Sequence, residues 1–169
     1  MIRLATISSL FLLISITLTA QSVSFHDHGK YDALLKKYVN REGSVDYVGL
    51  KKEKHTLLDY IKNLKETPVH KTWSKDNQLA YWINLYNALT LELIINNYPL
   101  KSITAIEKAW DIPLITISGR PYTLNNIEND VIRPEYKEPR IHFAVNCAAK
   151  SCPKLLNEAY TSAKINEQL

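Results

Sequence analysis

The chain has 169 residues, 46% of them hydrophobic and 22% charged, with a formal net charge of +4 at pH 7. This length allows one domain with its own hydrophobic core. Because the lysines are scattered and do not form a stripe with aromatic residues between them, we expect no nucleic-acid binding. The sequence has no glycine-rich phosphate loop, no Gly-x-Ser-x-Gly motif and no paired-carboxylate motif, so it predicts no cofactor.

Residues 1–22 predict a secretory signal peptide. Arg3 gives a positive start, residues 4–18 are uncharged and rich in Leu and Ile, and the small residues Ala20 and Ser22 follow. An apolar core of about fifteen residues is shorter than a typical membrane span, although an uncleaved anchor is the alternative. We therefore expect an exported protein, periplasmic or secreted. Residues 23–169 would then form one domain with no membrane attachment after signal cleavage.

Three helices are predicted in the first half of this domain. Apolar residues at helical spacing predict helices over residues 31–39 and 53–64, with a short extended segment between them at Val45 and Tyr47. The strongest pattern starts after the N-cap residue Ser74 and reaches residue 95. Its apolar side chains cover nearly the whole circumference, which is typical of a buried central helix.

The predicted central helix also carries a strip of polar side chains. Asn77, Tyr81, Asn84 and Asn87 lie within about 120° of one another when residues are placed at about 100° intervals. Buried amides have to be hydrogen-bonded, because an unpaired one costs about 1–3 kcal/mol. The strip therefore either ties down neighbouring loops or lines a pocket.

Short elements are predicted after the central helix. Residues 114–117 and 122–124 flank a turn that contains Gly119, which predicts an antiparallel hairpin. Asn125 is predicted to cap a short helix that ends at Arg133-Pro134. Apolar and polar residues alternate over residues 141–145, which predicts a strand.

The C-terminal segment predicts two more helices. Pro153 is predicted to be the first residue of one helix, and Thr161 to open the last one. No stop signal precedes Leu169, so we expect the domain to be incomplete at its C-terminus. The predicted fold class is α+β, a mainly helical single domain with a long buried central helix and a small antiparallel sheet.

Both cysteines lie within residues 140–153. In an oxidising compartment an even pair favours a disulfide, and the four residues between Cys147 and Cys152 make a tight loop that an irregular turn can close. The alternatives are a reactive thiol and a pair of inert buried thiols. Pro153 at the start of a helix would place Cys152 at the N-cap, where the free backbone donors favour a thiolate.

A local dyad of His142 and Cys147 requires a sharp bend in the chain. Residues five apart in a strand point to opposite faces about 16 Å apart, and in a helix they are separated by about 140°. A thiol and its base need to lie about 3 Å apart. His28 is therefore a second candidate base. The sequence His26-Asp27-His28 contains ligand-type residues, but we predict no metal site there.

Residues 78–90 resemble the signature helix of the domain of unknown function 547 family, although Tyr81 stands where Phe is more usual. Residues 140–153 also resemble this family through their His-Phe-Ala-x-Asn-Cys and Ser-Cys-Pro stretches. Further stretches are similar to the family at Asp27-His28 with residues 31–35, at residues 45–47 and at residues 122–128. The resemblance implies an exported bacterial protein or part of a larger eukaryotic one, with sequence continuing beyond Leu169. It implies no activity.

Two functions are consistent with these features. The favoured one is a non-catalytic binding or structural module with a polar pocket between the central helix and the cysteine segment, for an unknown small molecule or peptide. The predicted pocket residues are Asn84, Asn87, Tyr81, Arg140 and Asn146. The alternative is a thiol-dependent enzyme, either a hydrolase or acyl transferase or a redox protein. Its nucleophile would be Cys147 or Cys152, and its base His142 or His28.

Overall fold

The computed structural model describes residues 26–149 and 152–169, so the predicted signal peptide lies outside the described residues. The described chain is mainly helical, with one antiparallel pair of strands. Its α-helices are α1 (Gly29–Tyr38), α2 (Tyr47–Lys52), α3 (Lys54–Glu66), α4 (Lys75–Asn97), α5 (Arg133–Tyr136), α6 (Ile141–Ala144) and α7 (Ile165–Gln168). A 3₁₀ turn spans Ile103–Ala105, a π-helix spans Asn126–Ile132, and the strands are β1 (Ile115–Ile117) and β2 (Arg120–Tyr122). The predicted α+β class is confirmed.

Helix α4 is the predicted central helix. Ser74 caps it, because its hydroxyl accepts a hydrogen bond from the backbone N–H of Asn77 at 3.2 Å. The side chains from Gln78 to Leu91 are all buried, so every face of this stretch contacts protein. A helix with an apolar surface all round gains free energy only when other elements cover it completely. The other helices are arranged around it for this reason.

Helices α1 and α3 pack together beside α4. The rings of Tyr31 on α1 and Tyr60 on α3 stack with their centroids 4.4 Å apart and their planes 5° apart. The predicted extended segment between these helices is confirmed only at Val45, which forms an isolated antiparallel bridge with Val39. Tyr47 instead begins α2, because Asp46 accepts a hydrogen bond from the N–H of Gly49 at 2.9 Å and so caps a helix.

Strands β1 and β2 form the predicted hairpin, with a tighter turn than the sequence suggested. Ile117 pairs with Arg120, so the turn consists of Ser118 and Gly119 alone. Both turn residues have positive φ values, 49° and 80°, as a two-residue turn that matches the twist of the strands requires. Glycine adopts this conformation without a Cβ penalty, which explains its place in the turn.

The predicted helix after the hairpin is present but begins and ends differently. Asn125 makes no side-chain cap; instead the hydroxyl of Thr123 accepts a hydrogen bond from the N–H of Asn126 at 3.0 Å. Pro134 does not end the helical region; it lies in the first turn of α5, where the fixed φ of proline fits a helix and its missing N–H removes one hydrogen bond. The π-helix therefore continues directly into α5.

Two predictions for the C-terminal third are wrong. Residues 141–145 were predicted as a strand, but Ile141–Ala144 is the helical turn α6. Residues 153–160 were predicted as a helix, but they form no regular element. The N–H groups of Ala159 and Tyr160 are hydrogen-bonded by side chains from distant parts of the chain, and the carbonyl of Ala159 by Gln168, so a helix is not needed to pair them. Within the described residues, no helix is both long and apolar enough to cross a membrane.

Candidate binding site

Asn84 and Asn87 of α4 attach two loops to the central helix. The Asn84 amide N–H donates to the carbonyl of Tyr160 at 2.8 Å, and its oxygen accepts from the N–H of the same residue at 2.9 Å. The Asn87 amide N–H donates to the carbonyl of Ala144 at 2.9 Å, and its oxygen accepts from the N–H of Asn146 at 2.8 Å. Both side chains are buried. The polar strip was predicted either to tie down loops or to line a pocket, and these two asparagines tie down loops.

Asn146 extends these attachments into the cysteine loop. Its amide N–H donates to the carbonyl of Pro153 at 2.7 Å, and its oxygen accepts from the N–H of Ala148 at 3.0 Å. A chain of amide hydrogen bonds therefore runs from α4 through Asn87 to Asn146 and across the loop. None of these bonds involves a sulfur atom.

Cys147 and Cys152 form a disulfide, with their Cα atoms 5.8 Å apart. The loop bends sharply after α6, and Ala148 adopts a positive φ of 55°. As a result, His142 and both cysteines line one small cavity of about 160 Å³, together with Glu128 of the π-helix. The bend supplies the proximity that a regular element would not allow. Pro153 does not begin a helix, so Cys152 is not an N-cap residue.

Arg140 lies apart from the asparagines. Its guanidinium forms an ion pair with Glu138 at 2.7 Å and reaches the side chain of Asn166 at 3.2 Å. The hydrogen bonds from Arg140 lower the pKa of the Glu138 carboxyl to about 2. We find no contact of Arg140 with Asn84, Asn87 or Asn146 among the hydrogen bonds of the described residues.

A larger cavity lies beside the first turns of α4. It has a volume of about 520 Å³ and contains two of the predicted site residues, His28 and Tyr81. We call it the histidine cavity, and it is lined by side chains from residues 26–36, from Trp73, Asn77 and Tyr81, and from residues 158–164. The Tyr81 hydroxyl donates to the carbonyl of Leu64 at 2.8 Å, so its ring is held in the wall.

The two histidines of this cavity are half-buried and have lowered pKa values. Burial and, to a smaller extent, nearby His26 lower the pKa of His28 to about 4, against the opposing effect of Asp27. Burial also lowers the pKa of His26, against the effect of a hydrogen bond to the backbone of Thr67. Both imidazoles are therefore neutral at pH 7.

The charged groups of the cavity wall are arranged in pairs. Lys36 contacts Asp32 at 2.6 Å, and Lys164 contacts Glu158 at 3.0 Å. Burial raises the pKa of Asp32, but the hydrogen bonds from Lys36 and from the N–H of Ala159 outweigh it and hold the pKa below its usual range. The wall therefore carries charge without a large excess of either sign.

Sequence reasoning named His28 only as a candidate base for a cysteine and predicted no metal site at residues 26–28, and so missed this cavity. The side chains that bury the histidines are Tyr60, Trp73 and Tyr81, which lie more than 30 residues away in the chain. No local pattern reports such contacts. Within the described residues, no group of three or more His, Cys, Asp or Glu side chains is placed to hold a metal ion.

A family model described as "Protein of unknown function, DUF547" matches residues 70–169. This range includes α4, the hairpin, the cysteine loop and the C-terminal wall of the histidine cavity. The chain belongs to this family. The DUF547 match begins after the family-like stretches at residues 27–47, so their assignment stays a prediction. No match was found among curated proteins, and none was found among solved structures.

Proposed function

We propose that this DUF547 domain is a non-catalytic binding module that holds a small polar molecule or a peptide in the histidine cavity. The observation that carries the proposal is the cavity itself. Its volume of about 520 Å³ falls within the range of ligand sites, and aromatic rings line it together with a few polar groups. The proposed pocket thus lies beside α1 and the start of α4, and none of its wall residues belongs to the cysteine loop.

The amide attachments support this proposal because they make the walls rigid. Asn84 fixes Tyr160, which lies next to the wall residues Ala159 and Thr161, and Asp32 fixes the N–H of Ala159 at 3.0 Å. A cavity whose walls are held before binding loses less conformational entropy when a ligand enters. In this proposal the asparagines do not contact the ligand; they only hold the wall residues in position.

We also propose that the protein works outside the cytoplasm, in the periplasm or as a secreted protein. The apolar leader supports this location, and so does the Cys147–Cys152 disulfide, since such bonds persist in oxidising compartments. Reduced cysteines in protein isolated from an exported fraction would contradict the proposal.

The thiol-dependent alternative has one supporting observation. His142 and Glu128 share a cavity with the two cysteines, as a base and its orienting carboxylate would. Because the two sulfur atoms are bonded to each other, neither is a thiolate nucleophile in this state. The hydrolase or acyl-transferase form of this hypothesis would gain support if iodoacetamide rapidly alkylated one cysteine of the native protein without reductant.

The binding proposal is tested by blocking the cavity. Ser162 lines it, and Ser162→Arg places a long side chain at its wall. A library of small polar molecules and short peptides would be screened against the full chain by ligand-observed NMR. We expect hits that bind the unmodified protein and lose at least about tenfold in affinity with Ser162→Arg.

Ala163→Arg is the matched control, because Ala163 is exposed, adjacent in sequence and not part of the cavity wall. This variant should keep the affinity of the unmodified protein. Hits that bind both variants equally, or a screen with no hits at all, would contradict the proposed site.

A further inference from the structure

One nitrogen of the His26 ring is fixed as a hydrogen-bond donor. Its Nε2 atom lies 2.5 Å from the backbone carbonyl oxygen of Thr67. A carbonyl oxygen only accepts hydrogen bonds, so Nε2 carries the hydrogen and donates it. In the neutral ring the other nitrogen, Nδ1, is then an acceptor. Among the described residues, none hydrogen-bonds to this Nδ1 atom.

His28 is fixed in the same tautomer, but its other ring nitrogen is the one with a protein partner. Its Nδ1 atom lies 2.8 Å from the hydroxyl of Tyr60, a side chain that is 4% exposed. This hydroxyl has no other hydrogen-bond partner within the described part of the chain. If Nδ1 carried the hydrogen, the hydroxyl hydrogen would be buried without an acceptor, at a cost of about 1–3 kcal/mol. The hydroxyl therefore donates to Nδ1, and Nε2 carries the hydrogen as a donor that points away from the buried Tyr60.

The two rings lie side by side within the aromatic part of the cavity. Their centroids are 6.0 Å apart and their planes differ by 27°. The His26 ring centroid is also 5.7 Å from that of Trp73 and 5.4 Å from that of Tyr81. One ring with a neutral acceptor and one ring with a neutral donor thus both line the cavity, next to aromatic rings.

The charges around the cavity do not favour an ionic ligand. Four of its charged side chains are paired with one another, as Asp32 with Lys36 and Glu158 with Lys164. The remaining one, Asp27, is exposed and accepts a hydrogen bond from the N–H of Gly29 at 2.8 Å. A charged ligand would have to leave water without gaining an unpaired opposite charge that is buried there.

We propose that the histidine cavity selects a neutral amide compound, with an amide carbonyl accepting from Nε2 of His28 and an amide N–H donating to Nδ1 of His26. This inference rests on the proposed binding function and specifies its ligand class. An amide carries one acceptor and one or two donors on a planar group, which matches the two imidazoles and the aromatic rings. A peptide backbone and a free small amide share this chemistry.

The tautomers are tested directly by ¹⁵N NMR of the full chain labelled at histidine. We expect one half-buried histidine protonated at Nε2 with Nδ1 free, and one protonated at Nε2 with Nδ1 accepting from a hydroxyl. His26→Gln and His28→Gln assign the two signals. An Nδ1–H signal for either ring would overturn the inference, since the donor or acceptor would then be lost.

The ligand class is tested by calorimetry with two dipeptides that differ only at their ends. N-acetyl-dialanine amide is neutral, whereas free dialanine is a zwitterion. We expect the blocked peptide to bind at least about tenfold more tightly. Propionamide distinguishes the sources: binding as tight as that of the blocked peptide indicates a free small amide, and weaker binding indicates a peptide. Either result supports an amide ligand.

A pair of variants separates recognition from packing. His28→Gln keeps an acceptor for Tyr60 and a donor for the ligand, so it should bind the blocked peptide more tightly than His28→Phe does. His28→Phe keeps a ring of similar size without either group and should lose at least about tenfold, with thermal unfolding confirming that it folds. If free dialanine binds more tightly, the amide inference fails while the binding function stands. If no amide or dipeptide binds and the library gives no hits, the binding function itself fails.

Discussion

At the scale of single residues, the asparagines of α4 show how polar groups are buried without the free-energy penalty of an unpaired donor or acceptor. Asn84 is 1% exposed, and both ends of its amide are paired with the backbone of Tyr160. The sequence predicted that the polar strip either tied loops or lined a pocket, because unpaired amides are expensive to bury. It did not specify the partners, since Tyr160 is 76 positions away along the chain.

Replacing Asn84 should destabilise the fold. Asn84→Ala leaves the N–H and the carbonyl of Tyr160 unpaired in a buried position, so we expect the free energy of unfolding to fall by about 2–4 kcal/mol. Urea denaturation followed by circular dichroism measures it. Asn96→Ala, at an exposed position of the same helix, is the control and should change the free energy by less than about 0.5 kcal/mol. Equal losses in both variants would show that the attachment contributes little.

Histidine burial predicts a specific pH dependence of stability. The pKa of His28 is about 4 in the folded protein, against an ordinary value of 6.5. The unfolded chain therefore binds a proton that the folded chain does not, and stability is lost as pH falls from about 6.5 to about 4. A difference of this size corresponds to about 3 kcal/mol.

Urea denaturation at pH values between 4 and 7 checks this expectation, with His28→Gln as the test variant. The variant should show a shallower loss of stability at low pH than the unmodified protein. His55→Gln, at an exposed histidine, should keep the full dependence. Parallel curves for the unmodified protein and His28→Gln would contradict the assignment.

At the scale of elements, local signals explain which predictions were right. Helix α4 was predicted because its Ser74 cap and its continuous apolar surface lie within the helix itself. Residues 153–160 were predicted as a helix from Pro153 and buried apolar residues, but their backbone partners are Asn84, Asp32 and Gln168. Long-range side-chain bonds of this kind replace helical ones and leave no periodic signal in the sequence. The position of the cysteine loop beside His142 was missed for the same reason.

The disulfide should stabilise the fold only modestly. A closed loop this short restricts the unfolded chain by about 2 kcal/mol, so Cys147→Ser with Cys152→Ser should lower the free energy of unfolding by about that amount. The hydrogen bonds of Asn87 and Asn146 do not involve sulfur and should hold the loop in place. Hydrogen exchange of the Asn146 amide measures this directly. An Asn146 amide that exchanges as fast as in an unfolded chain would show that the disulfide is what positions the loop.

At the scale of the whole molecule, the histidine cavity is built from three segments that are far apart in sequence. Residues 26–36, the start of α4 and residues 158–164 each supply part of its wall. The fold class was predictable because α4 and the hairpin have strong local patterns. The cavity was not, because its shape depends on how distant segments pack. Asp32 and Ala159, which are 127 positions apart, are joined by one of the bonds that close it.

This arrangement predicts that residues 26–169 unfold as one unit. The first and last described segments are joined through Asp32 and Ala159, and both contact α4, so neither can leave without exposing core residues. Urea denaturation should give coincident transitions by far-ultraviolet circular dichroism and by tryptophan fluorescence. Two separated transitions would indicate that the C-terminal segment detaches independently.

Asn84 and Asn87 use their side chains as a neighbouring β-strand would use its backbone. Asn84 pairs with both the N–H and the carbonyl of Tyr160, which is the double exchange made by a hydrogen-bonded pair in an antiparallel sheet. Asn87 also pairs with one carbonyl and one N–H, but these belong to two residues, Ala144 and Asn146. Two side chains of helix α4 therefore hydrogen-bond to backbone segments that belong to no β-sheet. The amides of Asn84 and Asn87 bond only to backbone atoms, so they can hold the attached segments whatever side chains those segments carry. The side chains around the cavity are therefore free to vary with the ligand.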